Sequence, residues 1–370
     1  MKIAIITNVP SPYRVDFFYY LQTHVKEHEF HVIYSSATQK SRSWHADEER
    51  IVNATMLKSW NIRMKRRYDT RDIFIPHGVE KALKEIGPDV VVAMEYNPTV
   101  LLACHYCRKH HIPYISWSDG TTYSERNCSK VQKFARRYII PRACAFIGSS
   151  TRARENQIAL GADPGKCFQS NLTVDIEKYQ RKPATSTKKR LISVGGLILR
   201  KGNDLLLEAL AKTSSDMELL LVGEGIEKER LEEQVTRLGL TDRVRFAGFL
   251  EGDALYRAYA ESGAFVLATR EDCYGLVILE AMCAHLPVIV SKYADGAVDL
   301  VEDGVTGRIV DPEDADGFAR ALEDVFANES QRATMGEKAY EKSFEFTFEK
   351  VSQGYLEAIA YAGTLRRVEK

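Results

Sequence analysis

No apolar run in this sequence approaches the ~18–20 residues that a membrane-spanning helix requires, and the opening MKIAIITN (Met1 to Asn8) reads as a buried first strand rather than a signal peptide. The expectation is a cytoplasmic protein. Net charge is also lacking, with 51 Lys+Arg against 51 Asp+Glu, so no nucleic-acid partner is expected. The seven cysteines are an odd number and offer one CxxC, Cys104 and Cys107, with His105, His110 and His111 nearby. With no second pair at ligand spacing, reduced buried thiols are favoured over a zinc site or a disulfide framework. No GxGxxG follows the first strand and no lysine setting suits pyridoxal phosphate. Neither a dinucleotide cofactor nor a pyridoxal one is expected.

A chain of 370 residues exceeds the size at which a single core stops growing, which makes two domains the expectation. Short apolar runs alternate with amphipathic stretches throughout, the pattern of parallel sheets covered by helices on both faces. Strands are expected at Lys2 to Thr7, Phe30 to Tyr34, Asp89 to Met94, Tyr114 to Trp117 and Ala145 to Gly148. A second series follows at Arg190 to Val194, Glu218 to Val222, Arg243 to Phe246, Ala264 to Ala268 and Val288 to Ser291. The polar stretch around Pro183 separates them, giving domains 1–176 and 191–346, a linker 177–190 and a last helical segment 347–370. The zero net charge hides an asymmetry: residues 1–180 carry 26 Lys+Arg against 18 Asp+Glu, the rest 25 against 33. A basic first half fits an anionic partner or membrane surface.

The most informative segment is TREDCYGLVILEAMCAHLPVIVS, Thr269 to Ser291. Asp272 precedes a Tyr274-Gly275-Leu276 turn that follows an apolar strand, and Glu280 lies at least one turn inside the helix that follows. The first amides of such a helix make a ready site for phosphate, and two carboxylates at this separation can reach different parts of one extended ligand. A nucleotide sugar has that length.

This segment resembles the signature of the retaining glycosyltransferases of family four, an acid, seven residues and a Glu followed by Ala-Met and then Pro-Val. It departs from that pattern at Asp272, where Glu is commoner, and at His285, where Gly is usual and a left-handed backbone is favoured. The resemblance implies a GT-B fold, two doubly wound Rossmann-like lobes facing a cleft. It also implies donor binding by the second lobe, with Glu280 on the ribose hydroxyls and Asp272 on the hydroxyls of the donor sugar. In SVGGLILRKGNDLLLEAL (Ser193 to Leu210), Gly195 and Gly196 allow close backbone approach, and Arg200 and Lys201 offer cations to a diphosphate. Gly196 stands where the family carries an Arg, a role that Arg200 beside Lys201 is expected to share. Gly223 follows the next strand as a secondary cleft residue, and Gly248, Phe249 and Leu250 match the segment whose backbone clasps the nucleotide base. Tyr256 and Tyr259, at i, i+3, read as core packing.

The first half resembles the family by architecture alone. Tyr13 and Arg14, in the loop after the first strand, are the candidate donor contacts there, and Asp119 in SWSDG is the candidate acid facing the transferred sugar, with a turn role nearly as well supported. Two basic-aromatic stretches, Leu57 to Arg71 and Lys130 to Arg142, could each lie on anionic lipid or form a solvated helix face. The membrane reading is preferred for the first and the solvated face for the second. Asp314 and Asp316 fit a DxD, yet their setting reads as an acidic helix start. The combined expectation is a retaining, metal-independent transfer from a nucleotide sugar, UDP-linked by preference, to a glycan or lipid-linked acceptor in envelope or exopolysaccharide synthesis. A GT-B phosphorylase or epimerase, or a silent nucleotide-sugar-binding partner, stays open as the alternative.

Overall fold

The structure, a computed structural model, describes residues 1–37, 48–65, 68, 70–180, 189–214 and 216–368. Its two compact units are Met1–Arg66 with Thr70–Thr173 and Phe348–Lys370, and, for the most part, Val174–Thr347. Residues 181–188 of the expected linker lie outside the described residues. Each unit is built on a parallel sheet whose strands are near-continuous apolar runs, because helices cover both faces and leave no solvated side to alternate with.

In the first unit seven strands are ordered β3-β2-β1-β6-β7-β8-β9. They are β1 (Lys2–Thr7), β2 (Glu29–Tyr34), β3 (Ala54–Met56), β6 (Val90–Met94), β7 (Tyr114–Ser118), β8 (Ala145–Gly148) and β9 (Cys167–Gln169). Strand order reverses between β1 and β6, the place in an open α/β sheet where ligands gather at the carboxyl ends. The long helix Phe348–Val368 belongs to this unit: its Tyr355 ring packs edge-on against Phe17 and Trp117, at 5.7 and 5.3 Å. Ser170 fastens the same helix by donating to the Val351 carbonyl at 2.7 Å.

The basic-aromatic stretch from Leu57 is not a helix. It forms an antiparallel hairpin of β4 (Lys58–Lys65) and β5 (Thr70–His77). Alternation explains the two faces: Asp72 and Phe74 turn inward and are buried, while Trp60 and Ile62 are 68% and 49% exposed. Arg66 and Arg67 lie outside the described residues. In the helix Lys130–Ile139, Ala135, Arg136 and Ile139 form the expected core side, but Val131 and Phe134 on the opposite face are 74% and 62% exposed.

The second unit carries six strands in the order β12-β11-β10-β13-β14-β15. These are β10 (Lys189–Val194), β11 (Met217–Val222), β12 (Val244–Gly248), β13 (Ala264–Leu267), β14 (Val288–Ser291) and β15 (Gly307–Val310). Its core draws Leu206, Leu207 and Leu210 from one helix and Phe318, Leu322 and Val325 from another. Among the described residues no helix is long and apolar enough to cross a membrane.

Candidate functional site

The site of the second unit is assembled where β10 and β13 end side by side. After β13 the chain turns through Asp272 and Tyr274 to Gly275, which takes φ +83 ahead of the helix Leu276–Cys283. Glycine is required there, because the backbone is left-handed and a Cβ would press on Leu267 and Ile278 at 3.2 and 3.1 Å. After β10, a short 3₁₀ turn, Leu199–Lys201, brings up two cations. Lys201 Nζ donates to Asp272 Oδ2 at 2.6 Å, and Arg200 stands 3.5 Å from the same oxygen while donating to the Glu271 carbonyl at 2.9 Å. Burial works against the charge of Asp272, but Lys201, Arg200 and the Tyr274 amide together hold its carboxyl well below the usual carboxylate range.

Glu280 is half-buried on the same helix, and its Oε2 accepts from the Tyr259 hydroxyl at 2.8 Å. Burial pushes its carboxyl up, opposed by hydrogen bonds from Tyr259 and Tyr179 and by the charge of Lys201, which places it near the cation pair. Tyr259 is fully buried, so the ring is core as its spacing suggested, yet its hydroxyl holds a site carboxylate. Tyr179, in the short helix Ile176–Tyr179, was not foreseen. The available signal was general: a buried tyrosine hydroxyl needs a partner.

Other expected donor residues divide by what their surroundings permit. Lys201 runs over Gly195, 3.4 Å from where a Cβ would stand, whereas at Gly196 the nearest atom to such a Cβ is the Glu224 carbonyl at 3.7 Å, so a side chain would fit. Gly223 packs closely on the neighbouring turn, since any Cβ there would collide with the Gly195 carbonyl. Tyr274 donates its amide to Asp272 at 3.3 Å, while its ring is 2% exposed and its hydroxyl is buried without a hydrogen-bond partner. Leu276 is half-buried at the helix start, Gly248 ends β12 at φ +71, and Phe249 after it is exposed, with Leu250 half-buried. His285 adopts the left-handed backbone that its position demands, φ +57, stacked on Tyr340 at 3.7 Å and bonded to Glu337 at 2.9 Å. Asp314 caps the helix Ala315–Phe326 through the Gly317 amide, and Asp316 pairs with Lys212 at 2.6 Å. Their acidic-helix reading therefore accounts for both.

The first unit places Arg14 and Asp119 together, but on each other. The Arg14 guanidinium, 3% exposed, forks onto both Asp119 oxygens at 2.8 and 2.9 Å and lies over the Trp117 ring at 4.0 Å. Ser149 also donates to Asp119, and Trp117 Nε1 donates to Ser149 at 2.8 Å. Arg14 is thus the buried counter-ion of Asp119, because an unpaired guanidinium at that depth would be far costlier than a paired one. Tyr13 beside it helps line a cavity of about 10 Å³ with Phe17, Trp117 and Leu172. The missed partner is Glu95 at the end of β6, which takes φ +73 and accepts the Asp119 amide at 3.1 Å. Cys104 and Cys107 are buried with thiols pushed up by burial, the former to about 11, which keeps them protonated.

Such a pair of parallel-sheet units is shared with solved glycosyltransferases, and the fold is GT-B. Anabaena HepE in complex with UDP superposes over 97% of this chain and 100% of its own, with a TM-score of 0.78 at 19% identity. The lipopolysaccharide outer core galactosyltransferase WaaB gives a TM-score of 0.75 at 18% identity, over 97% and 99%. Residues 175–342 match the model of the glycosyl transferases group 1 family. Among curated relatives, the lipopolysaccharide core biosynthesis glycosyltransferase LpsE of Rhizobium meliloti is 35% identical over 171 residues, 46% of this chain and about half (49%) of LpsE. An uncharacterized glycosyltransferase of Haemophilus influenzae is 29% identical over 76% of this chain and 79% of its own length.

Proposed function

We propose that this protein transfers a sugar from a UDP-sugar to a hydroxyl of a glycan or lipid-linked glycan, with retention at the anomeric carbon. The observation that carries the reading is the cation pair Arg200 and Lys201 resting on buried Asp272, in the turn before the helix that presents Glu280. Lys201 and Arg200 would meet the leaving diphosphate as its charge develops, in surroundings where a fixed charge acts more strongly than in water. Glu280, held by Tyr259, would accept the two ribose hydroxyls. Asp272 is tied to two cations, so it serves as their counter-ion and as an acceptor for donor-sugar hydroxyls, and it is not a nucleophile. Two side-chain cations supply the positive charge that a divalent metal supplies elsewhere, and the reaction is taken to need none.

The choice of UDP is supported by HepE, solved with UDP and with UDP-glucose. The acceptor class is supported by LpsE and by a Campylobacter jejuni relative, 25% identical over 62% of this chain, named for transfer to a diphospho-undecaprenol-linked sugar. Exposed Trp60 and Ile62 on one element and Val131 and Phe134 on another, each beside lysines or arginines, support peripheral docking on anionic lipid. The experiment is a donor screen that reads nucleotide release across UDP-, GDP- and dTDP-sugars with and without glycan acceptors, followed by NMR of the product's anomeric configuration. Release from a UDP-sugar with a retained anomer is expected. Release from none of the donors, or an inverted product, would overturn the reading.

A further inference from the structure

The 3₁₀ turn that carries the two cations is fastened by Arg270. Arg270 follows β13 and is half-buried. Its guanidinium forks onto both oxygens of Asp204 at 2.7 Å, and one of the same nitrogens donates to the Leu199 carbonyl at 2.8 Å. Its backbone amide donates to the Arg200 carbonyl at 2.8 Å, where the Thr269 hydroxyl also donates at 2.9 Å. One residue therefore threads three segments: the turn after β13 that carries Asp272, the 3₁₀ turn that carries Arg200 and Lys201, and the first turn of the helix Asn203–Leu210. At the hinge of these segments Gly202 takes φ +68, and any Cβ there would collide with the Ala268 carbonyl.

A turn of three residues has few hydrogen bonds of its own, and long cationic side chains placed on it would lose affinity to conformational freedom. A fork of two charge-assisted bonds fixes a plane as well as a distance. Asp204 also neutralises Arg270, so the clamp adds order without adding charge to an anion site.

We infer that Arg270, through its bidentate pair with Asp204, is a positioning residue that holds Arg200 and Lys201 in register for a diphosphate. The inference rests on the reading of those two cations as the diphosphate contacts. Its signature is selective: the clamp governs the diphosphate and leaves the nucleoside end to Glu280. Calorimetry with UDP and with uridine tests it on the whole protein, with thermal midpoints recorded alongside. The wild type should bind UDP far more tightly than uridine. Arg270→Ala should weaken UDP by about tenfold, the size of one lost charge-assisted bond, while uridine affinity stays unchanged, and Arg270→Lys should recover part of the loss. Asp204→Asn, which keeps the side chain's shape, carries the same comparison should Arg270→Ala fail to fold. A variant that preserves the wild-type preference for UDP overturns the clamp alone. A wild type that binds uridine as tightly as UDP overturns the diphosphate reading and the clamp with it.

Discussion

At the scale of single residues, the two carboxylates of the site are shifted in opposite directions, because burial prevails at Glu280 and the cation pair prevails at Asp272. Glu280 has two tyrosine hydroxyls, and burial raises its carboxyl above the ordinary glutamate value. A group raised in this way loses its charge on acidification earlier than a free one does. Affinity for UDP-glucose, whose diphosphate has no proton to gain in this range, should therefore fall as pH drops through the raised value of Glu280. Titration calorimetry across pH should show that slope in the wild type and none in Glu280→Gln. Glu280→Ala should cost roughly 1.5–3 kcal/mol of nucleotide binding, the range for a hydrogen-bonded charge. Tyr259→Phe removes a donor that stabilises the carboxylate, so the midpoint of the slope should move to higher pH. Asp272 obeys the opposite sign: with its carboxyl held down, the stability of its pairs with Lys201 and Arg200 persists above the ordinary aspartate value and is lost as pH falls toward the depressed one.

At the scale of elements, close backbone approach places the long last helix. Gly354 lies where the helix Phe348–Val368 passes β9, and a methyl group there would collide with the Gln169 carbonyl. Gly354→Ala should destabilise the first unit by about 1–3 kcal/mol, the usual cost of overpacking, read as a lower thermal midpoint and looser Tyr355 packing. UDP affinity, which we assign to the second unit, should be unchanged. Elements were legible where they were long and uniformly apolar, as in VVVAM of β6, because a strand covered on both faces has no alternative to an apolar run. The hairpin β4–β5 was not legible as strands because its basic residues mask a period-two pattern, Asp72 and Phe74 buried between half-buried neighbours.

At the scale of the whole molecule, turnover should survive EDTA. Loss of activity on chelation, restored by Mg²⁺ or Mn²⁺, would show that Arg200 and Lys201 are insufficient. Binding to anionic vesicles should rise with the fraction of anionic lipid and fall with salt as the field is screened. Substituting Trp60, Ile62 and Phe134 by Ser should reduce co-sedimentation by removing apolar anchors that are already exposed. A wild type that ignores such vesicles at low salt would point to a soluble acceptor.

The sequence by itself determined where the charged groups of the second unit stand along the chain. Asp272, Glu280, Arg200 and Lys201 bracket strand ends and glycine turns, and strand-turn-helix geometry places what lies at a fixed offset from a turn. Local order was enough for that. Tertiary structure alone decided which charges meet. Arg14 and Asp119 stand 105 positions apart and neutralise each other, Arg270 reaches Asp204 across 66, and Tyr259 finds Glu280 across 21. Their pairing arises because each parallel sheet sets helices and turns distant in sequence side by side, and a buried polar group there takes the nearest partner.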